Sequence, residues 1–67
     1  MELRINGQQV TVPDTITTIE ELIHHFNLKN RTIMVEQNHT ILRKEEHEKA
    51  AVENGDTIEL VQFVGGG

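Results

Sequence analysis

Asn6-Gly7 separates two short runs in which apolar and polar residues alternate, Leu3-Arg4-Ile5 and Val10-Thr11-Val12. A type I′ hairpin turn needs positive φ at both central positions, and Asn-Gly meets that demand at little cost. A two-residue loop then sets the register, with Ile5 opposite Gln8, Leu3 opposite Val10 and Met1 opposite Val12. Leu3, Ile5, Val10 and Val12 therefore point together into a core, and a slip of one residue would turn them all to water.

Pro13-Asp14 ends the second strand, because proline cannot donate to a ladder. The apolar period then changes from two to that of a helix. Ile19, Leu22, Ile23 and Phe26 fall at i, i+3, i+4 and i+7 and form one stripe. Thr17 and Thr18 are both cap candidates, with Glu20 and Glu21 placed to close a capping box from either one. Asn27 suits the left-handed residue that ends a helix, and Leu28 can fold back on it. The expectation is one helix of about nine to ten residues, close to the usual length.

After the polar Lys29-Asn30-Arg31, the run Thr32-Ile33-Met34-Val35-Glu36 reads as a strand. The polar Gln37-Asn38-His39 follows, and Thr40-Ile41-Leu42 reads as a short partner strand. Arg43 to Glu53 has no clear period; a short helical turn and an extended piece near Val52 are expected. Asn54-Gly55-Asp56 is a turn signal, and Thr57 to Val64 reads as the longest strand. Ile58 and Leu60 share its inner face. Glu59, Val61 and Phe63 share the outer face, which on a sheet with one helix meets water. With Val64 beside them, they form a candidate partner-binding patch, since aromatic anchors are enriched at interfaces.

This order predicts an α+β fold in two layers, a mixed sheet of four to five strands packed on one main helix. Sixty-seven residues allow one small domain, read as 1–64, followed by a flexible Gly65-Gly66-Gly67 tail. A net charge of -5 disfavours a phosphate-backbone binder and leaves room for a protein partner with a positive surface. No Trp or Tyr and two Phe make a base-stacking platform a poor fit. With no cysteine there is neither a disulfide nor thiol chemistry, and no run approaches membrane length. Of the four histidines, His24 and His25 are helix neighbours diverging by about 100°, too far apart to share an ion easily, and His39 and His47 add no ligand spacing, so the histidines read as solvated residues and not as ligands. No catalytic set or metal site is expected. Asp14 and Asp56 sit in turn signals and read as turn formers. The acidic Glu45, Glu46 and Glu48 read as a solvated face.

The tail supports two readings. A glycine-rich end is often a loose end. It is also a segment with no side chain to block a narrow channel, and its three residues reach about 10 Å when extended. With Gly67 as the terminal residue, its carboxylate could enter another protein's active site while the folded body stays outside.

The order of elements, the Asn54-Gly55-Asp56-Thr57-Ile58-Glu59-Leu60-Val61 stretch and the Phe63-Val64-Gly65-Gly66-Gly67 ending resemble the ubiquitin-like β-grasp, and within it the ThiS family of sulfur carriers of thiamine biosynthesis. The Asn6-Gly7 hairpin and the Thr18-Ile19-Glu20-Glu21-Leu22 helix start are similar to that family too. The resemblance implies a carrier and not an enzyme. Gly67 would be adenylated by a ThiF-type adenylating enzyme using ATP, with no cofactor bound by the carrier. A cysteine-derived persulfide would convert it to a thiocarboxylate, and a ThiG-type thiazole synthase would take the sulfur. Gly65 and Gly66 would enter the partner's active site. The family further implies a cytoplasmic protein, monomeric when free. Two other readings stand beside it, a carrier of the molybdopterin-synthase small-subunit type and a ubiquitin-like module that binds without reacting.

Overall fold

The computed structural model describes residues 1–63. The hairpin forms as its turn chemistry requires: β1 (Glu2–Ile5) and β2 (Gln8–Thr11) pair antiparallel with Leu3 opposite Val10 and Ile5 opposite Gln8. Asn6 and Gly7 have φ of 51° and 83°, the left-handed pair that a type I′ turn needs. Met1 and Val12 exchange backbone hydrogen bonds beyond the strands.

Helix α1 (Ile19–His25) begins at Thr18, whose hydroxyl accepts from the Glu21 amide at 3.2 Å. The Glu21 carboxylate reaches back to the amides of Thr17 and Thr18 and to the Thr17 hydroxyl, so one acid serves both threonines. The Thr17 amide and hydroxyl, together with the Thr18 amide, hold the Glu21 carboxyl below its ordinary pKa. Seven residues are helical, fewer than the nine to ten expected. The apolar stripe runs on to Phe26, but Phe26 is already the C-cap and Asn27 turns left-handed at φ 61°. Leu28 N–H bonds to Ile23 C=O and Asn27 N–H to His24 C=O, each at 3.0 Å, the Schellman closure. Leu28 folds back against the core.

Strands β3 (Ile33–Gln37) and β4 (Thr40–Leu42) are joined by a second tight hairpin whose turn residues, Asn38 and His39, both have positive φ. The last strand, β5 (Thr57–Gln62), enters the middle of the sheet. It pairs parallel with β1 and antiparallel with β3, giving the order β2-β1-β5-β3-β4. Among the described residues the sheet thus has five strands, and α1 covers one face. Leu3, Ile19, Leu22, Val35 and Ile58 are the largest fully buried side chains. Each contributes about 1.5–3 kcal/mol by leaving water. Val10 and Leu60 are half-buried at the edge of this cluster.

The Arg43–Glu53 segment contains a 3-10 turn at Lys44–Glu46, and Val52 is buried as its extended part returns. Its backbone satisfies the exposed donors at the start of α1. Ile19 N–H bonds to Ala50 C=O at 3.0 Å and Glu20 N–H to His47 C=O at 2.9 Å, while Val52 N–H bonds to Thr17 C=O at 3.0 Å. This docking carries His47 inward, to 8% exposure, so it is not a solvated side chain. Its Nε2 has no hydrogen-bond partner among the described residues. Glu45, Glu46 and Glu48 stay exposed.

Asp56 does more than form a turn. Its buried carboxylate accepts from Gln37 Nε2 at 2.9 Å, Asn38 Nδ2 at 3.0 Å and the Glu53 amide at 2.9 Å. Asn38 Oδ1 accepts from the Thr57 amide at 2.9 Å. The start of β5 is thereby fastened to the β3–β4 turn.

Candidate functional site

Three strands, β5, β3 and β4, build one half of the sheet face opposite α1. Side chains alternate across a strand, so β5 turns Ile58 and Leu60 toward the helix and Glu59, Val61 and Phe63 away from it. All three of the latter are exposed, Val61 at 48% and Phe63 at 55%. Register then fixes their neighbours. Met34 stands opposite Val61, Glu36 opposite Glu59, and Ile41 of β4 opposite Glu36. Ile41, at 63%, is the most exposed large apolar side chain of the described residues. Val61, Phe63, Met34 and Ile41 therefore share one face beside the end of β5.

The other half of the same face is closed on itself. Glu2 of β1 accepts from the Thr11 hydroxyl at 2.6 Å and from the Gln9 amide group, which hold its carboxyl below the ordinary range. Among the described residues the apolar half has no such hydrogen-bonded closure of its carboxylates. It carries two carboxylates directly opposite each other, Glu36 and Glu59. Like charges in that arrangement destabilise a sheet. The nearest cation-forming group to Glu36 is His39, with Nδ1 4.0 Å away in the i,i+3 position. A basic side chain from outside would relieve the repulsion. The surface thus offers an aromatic and aliphatic patch beside an acidic pair, a combination that suits a protein partner with a cationic rim.

The site residues read from the sequence divide cleanly. Glu59, Val61 and Phe63 are brought together on this face. Val64, Gly65, Gly66 and Gly67 lie outside the described residues. Met34, Glu36 and Ile41 belong to the face and were not singled out by sequence reasoning. Their signal was the two-residue alternation of β3 and β4, which becomes a shared face only once β3 is known to lie next to β5. Among the described residues no group of three His, Asp or Glu side chains converges as a metal site would require. No helix among them is long and apolar enough to cross a membrane.

Residues 2–67 match the model of the ThiS family. The chain is 37% identical over 65 residues to the sulfur carrier protein ThiS of Bacillus subtilis, covering 97% of this chain and 98% of that protein. It is 36% identical over 67 residues to part of a thiazole synthase of Paramagnetospirillum magneticum, covering all of this chain and 20% of that protein. The crystal structure of the thiamine biosynthesis protein ThiS from Geobacter metallireducens superposes with a TM-score of 0.83 at 30% identity, with both chains fully covered.

Proposed function

This chain belongs to the ThiS family, the sulfur carriers of thiamine biosynthesis, and from that premise we propose that the carboxylate of Gly67 is the group that carries the sulfur. One observation carries this reading: the family match continues through residue 67, across the whole glycine ending. The chemistry of that ending agrees with it. An α-carboxyl has a pKa near 3.3–3.7 and is a carboxylate at neutral pH, a poor electrophile that must be activated.

Loading of the carrier takes three steps. A Gly67 carboxylate oxygen attacks the α-phosphorus of ATP, and pyrophosphate leaves. The terminal sulfur of a persulfide then attacks the acyl carbon, and AMP leaves. A thiol reductant supplies two electrons to the resulting acyl disulfide. The S–S bond breaks, leaving a thiocarboxylate on Gly67 and a thiol on the donor. The acceptor, a ThiG-type thiazole synthase, takes the sulfur into the thiazole ring. A ThiF-type adenylating enzyme binds the ATP, and the persulfide sulfur comes from cysteine. This chain itself acts as a co-substrate and binds no cofactor.

Its own residues have two tasks in this scheme. Gly65 and Gly66 bring an unhindered carbonyl into a narrow active site, since no Cβ projects from them. Glu59, Val61, Phe63 and Val64, extended by Met34, Glu36 and Ile41, form the face on which the partners dock. In this reading the carrier works in the cytoplasm and is a monomer when free of its partners.

The test is intact mass after incubation with ATP, an adenylating enzyme of this family and a sulfur donor, beside a sample without ATP. Exchange of one oxygen for sulfur, mapped to Gly67, is the expected result. An unchanged mass, with an established carrier converted alongside, would overturn the assignment.

A further inference from the structure

Asn6 is legible as a turn residue, and its positive φ accounts for that role. Its side chain does something else. Asn6 Oδ1 accepts from the Leu60 amide at 2.8 Å, and Asn6 Nδ2 donates to the Leu60 carbonyl at 3.2 Å. The Asn6 backbone amide bonds to Ile58 C=O at 2.9 Å. Strand β1 ends at Ile5, paired with Ile58, and there the main chain turns away into the hairpin. The carboxamide takes the place of the next strand residue and prolongs the β1 side of the ladder by one more rung.

Beyond Leu60, among the described residues, the bonds to β5 come from the other side. Ile33 is opposite Gln62, and Phe63 N–H bonds to Thr32 C=O at 3.1 Å. Leu60 is thus the last residue of β5 bonded from the β1 side among the described residues. Seven residues follow it, Val61 to Gly67. Misplacement of a reacting group by 1 Å can cost about a hundredfold in rate.

We propose that Asn6 is a positioning residue for the carrier reaction. By clamping Leu60 it sets the direction in which the docking face hands the chain on toward Gly67. The proposal rests on the carrier reading above. It assigns to the hairpin turn a task in the chemistry at the opposite end of the sequence, through two hydrogen bonds that a turn-forming role does not need.

Asn6→Gly separates the two roles. Glycine supports the positive φ of a type I′ turn as well as asparagine does, so the hairpin survives while the carboxamide is lost. Two readouts apply. In amide hydrogen exchange, the variant should lose protection at Leu60 at least tenfold, with Glu59 and Val61, which face β3, keeping theirs. In steady-state adenylation, followed as pyrophosphate release with an adenylating enzyme of this family, kcat should fall five- to tenfold at a KM changed less than twofold. Asp56→Asn, which weakens the opposite end of β5, sets the effect of lost stability alone and should leave kcat unaltered. Equal kcat for wild type and Asn6→Gly overturns the proposal, as does unchanged exchange at Leu60. A wild-type chain that is not adenylated at all overturns the carrier reading instead, which the wild-type control identifies on its own.

Discussion

Met34 faces Val61 directly across the β3–β5 ladder, on the side of the sheet away from the helix. The pair extends the surface of Val61 and Phe63 sideways toward Ile41, which makes a patch out of what would otherwise be a single exposed row of side chains on β5. Phe63 is 55% exposed, so truncating it removes little buried area. Phe63→Ala should cost about 1–2 kcal/mol of stability, below the roughly 3–5 kcal/mol of a core phenylalanine. Val61→Ala and Ile41→Ala should be similarly mild. Each should raise the KM for the adenylating enzyme, Phe63→Ala by about tenfold, which corresponds to about 1.4 kcal/mol of docking energy. Chemical denaturation and steady-state kinetics on the same samples check this. A large loss of stability with unchanged KM would assign Phe63 to the core.

Removal of Gly67, or extension of the chain by one residue beyond it, should abolish conversion to the thiocarboxylate. Neither change touches a core residue, so the melting temperature should stay that of the parent chain. Intact mass and thermal unfolding measured together provide the check. Normal loading of the shortened chain would contradict the assignment of the reacting carboxylate.

Asp56 gives the fold a dependence on acid. Burial raises the pKa of its carboxyl, but hydrogen bonds from Asn38, the Glu53 amide and Gln37 outweigh that and hold it below the ordinary value. The folded-state pKa lies below that of the unfolded chain, so the stabilisation is fully present above about pH 4. It is lost as pH falls through the lower, folded-state value. Asp56→Ala leaves three donors facing a gap and should cost about 2–4 kcal/mol at neutral pH. Asp56→Asn should be destabilised as well and should show a flatter stability profile between pH 5 and pH 2 than the parent. Urea denaturation across that range decides. Parallel profiles would mean that Asp56 does not contribute to acid unfolding.

Gly55 sits at φ +91° with open space where a Cβ would stand. Its amide bonds to Glu2 C=O at 2.7 Å, which ties the turn before β5 to β1. Gly55→Ala meets no steric obstacle, so its effect isolates backbone strain. A loss of about 1–2 kcal/mol is expected, or a fall in Tm of roughly 4–16 °C for a domain of this size. Thermal unfolding measures it.

Local chemistry wrote much of this fold into the sequence. Asn6-Gly7 specifies its turn and register because positive φ at two adjacent positions admits few residues. Thr18 with Glu21, and Asn27 with Leu28, mark the ends of α1 because the donors and acceptors they satisfy lie within a few positions. The alternation of β5 assigned Ile58 inward and Val61 and Phe63 outward for the same reason. Long-range pairing could not be read in this way. Arg43–Glu53 has no period of its own because its backbone serves the start of α1, twenty-seven to thirty-five residues away, and that service is what buries His47. Met34 and Ile41 joined the docking face only when β3 took its place beside β5. Asn6 acquired its second role only because parallel pairing of β1 and β5 brings Leu60 within reach of its side chain, fifty-four positions along the chain. A residue's propensity acts over one turn, whereas a hydrogen bond between strands needs the whole sheet to be assembled before its partners meet.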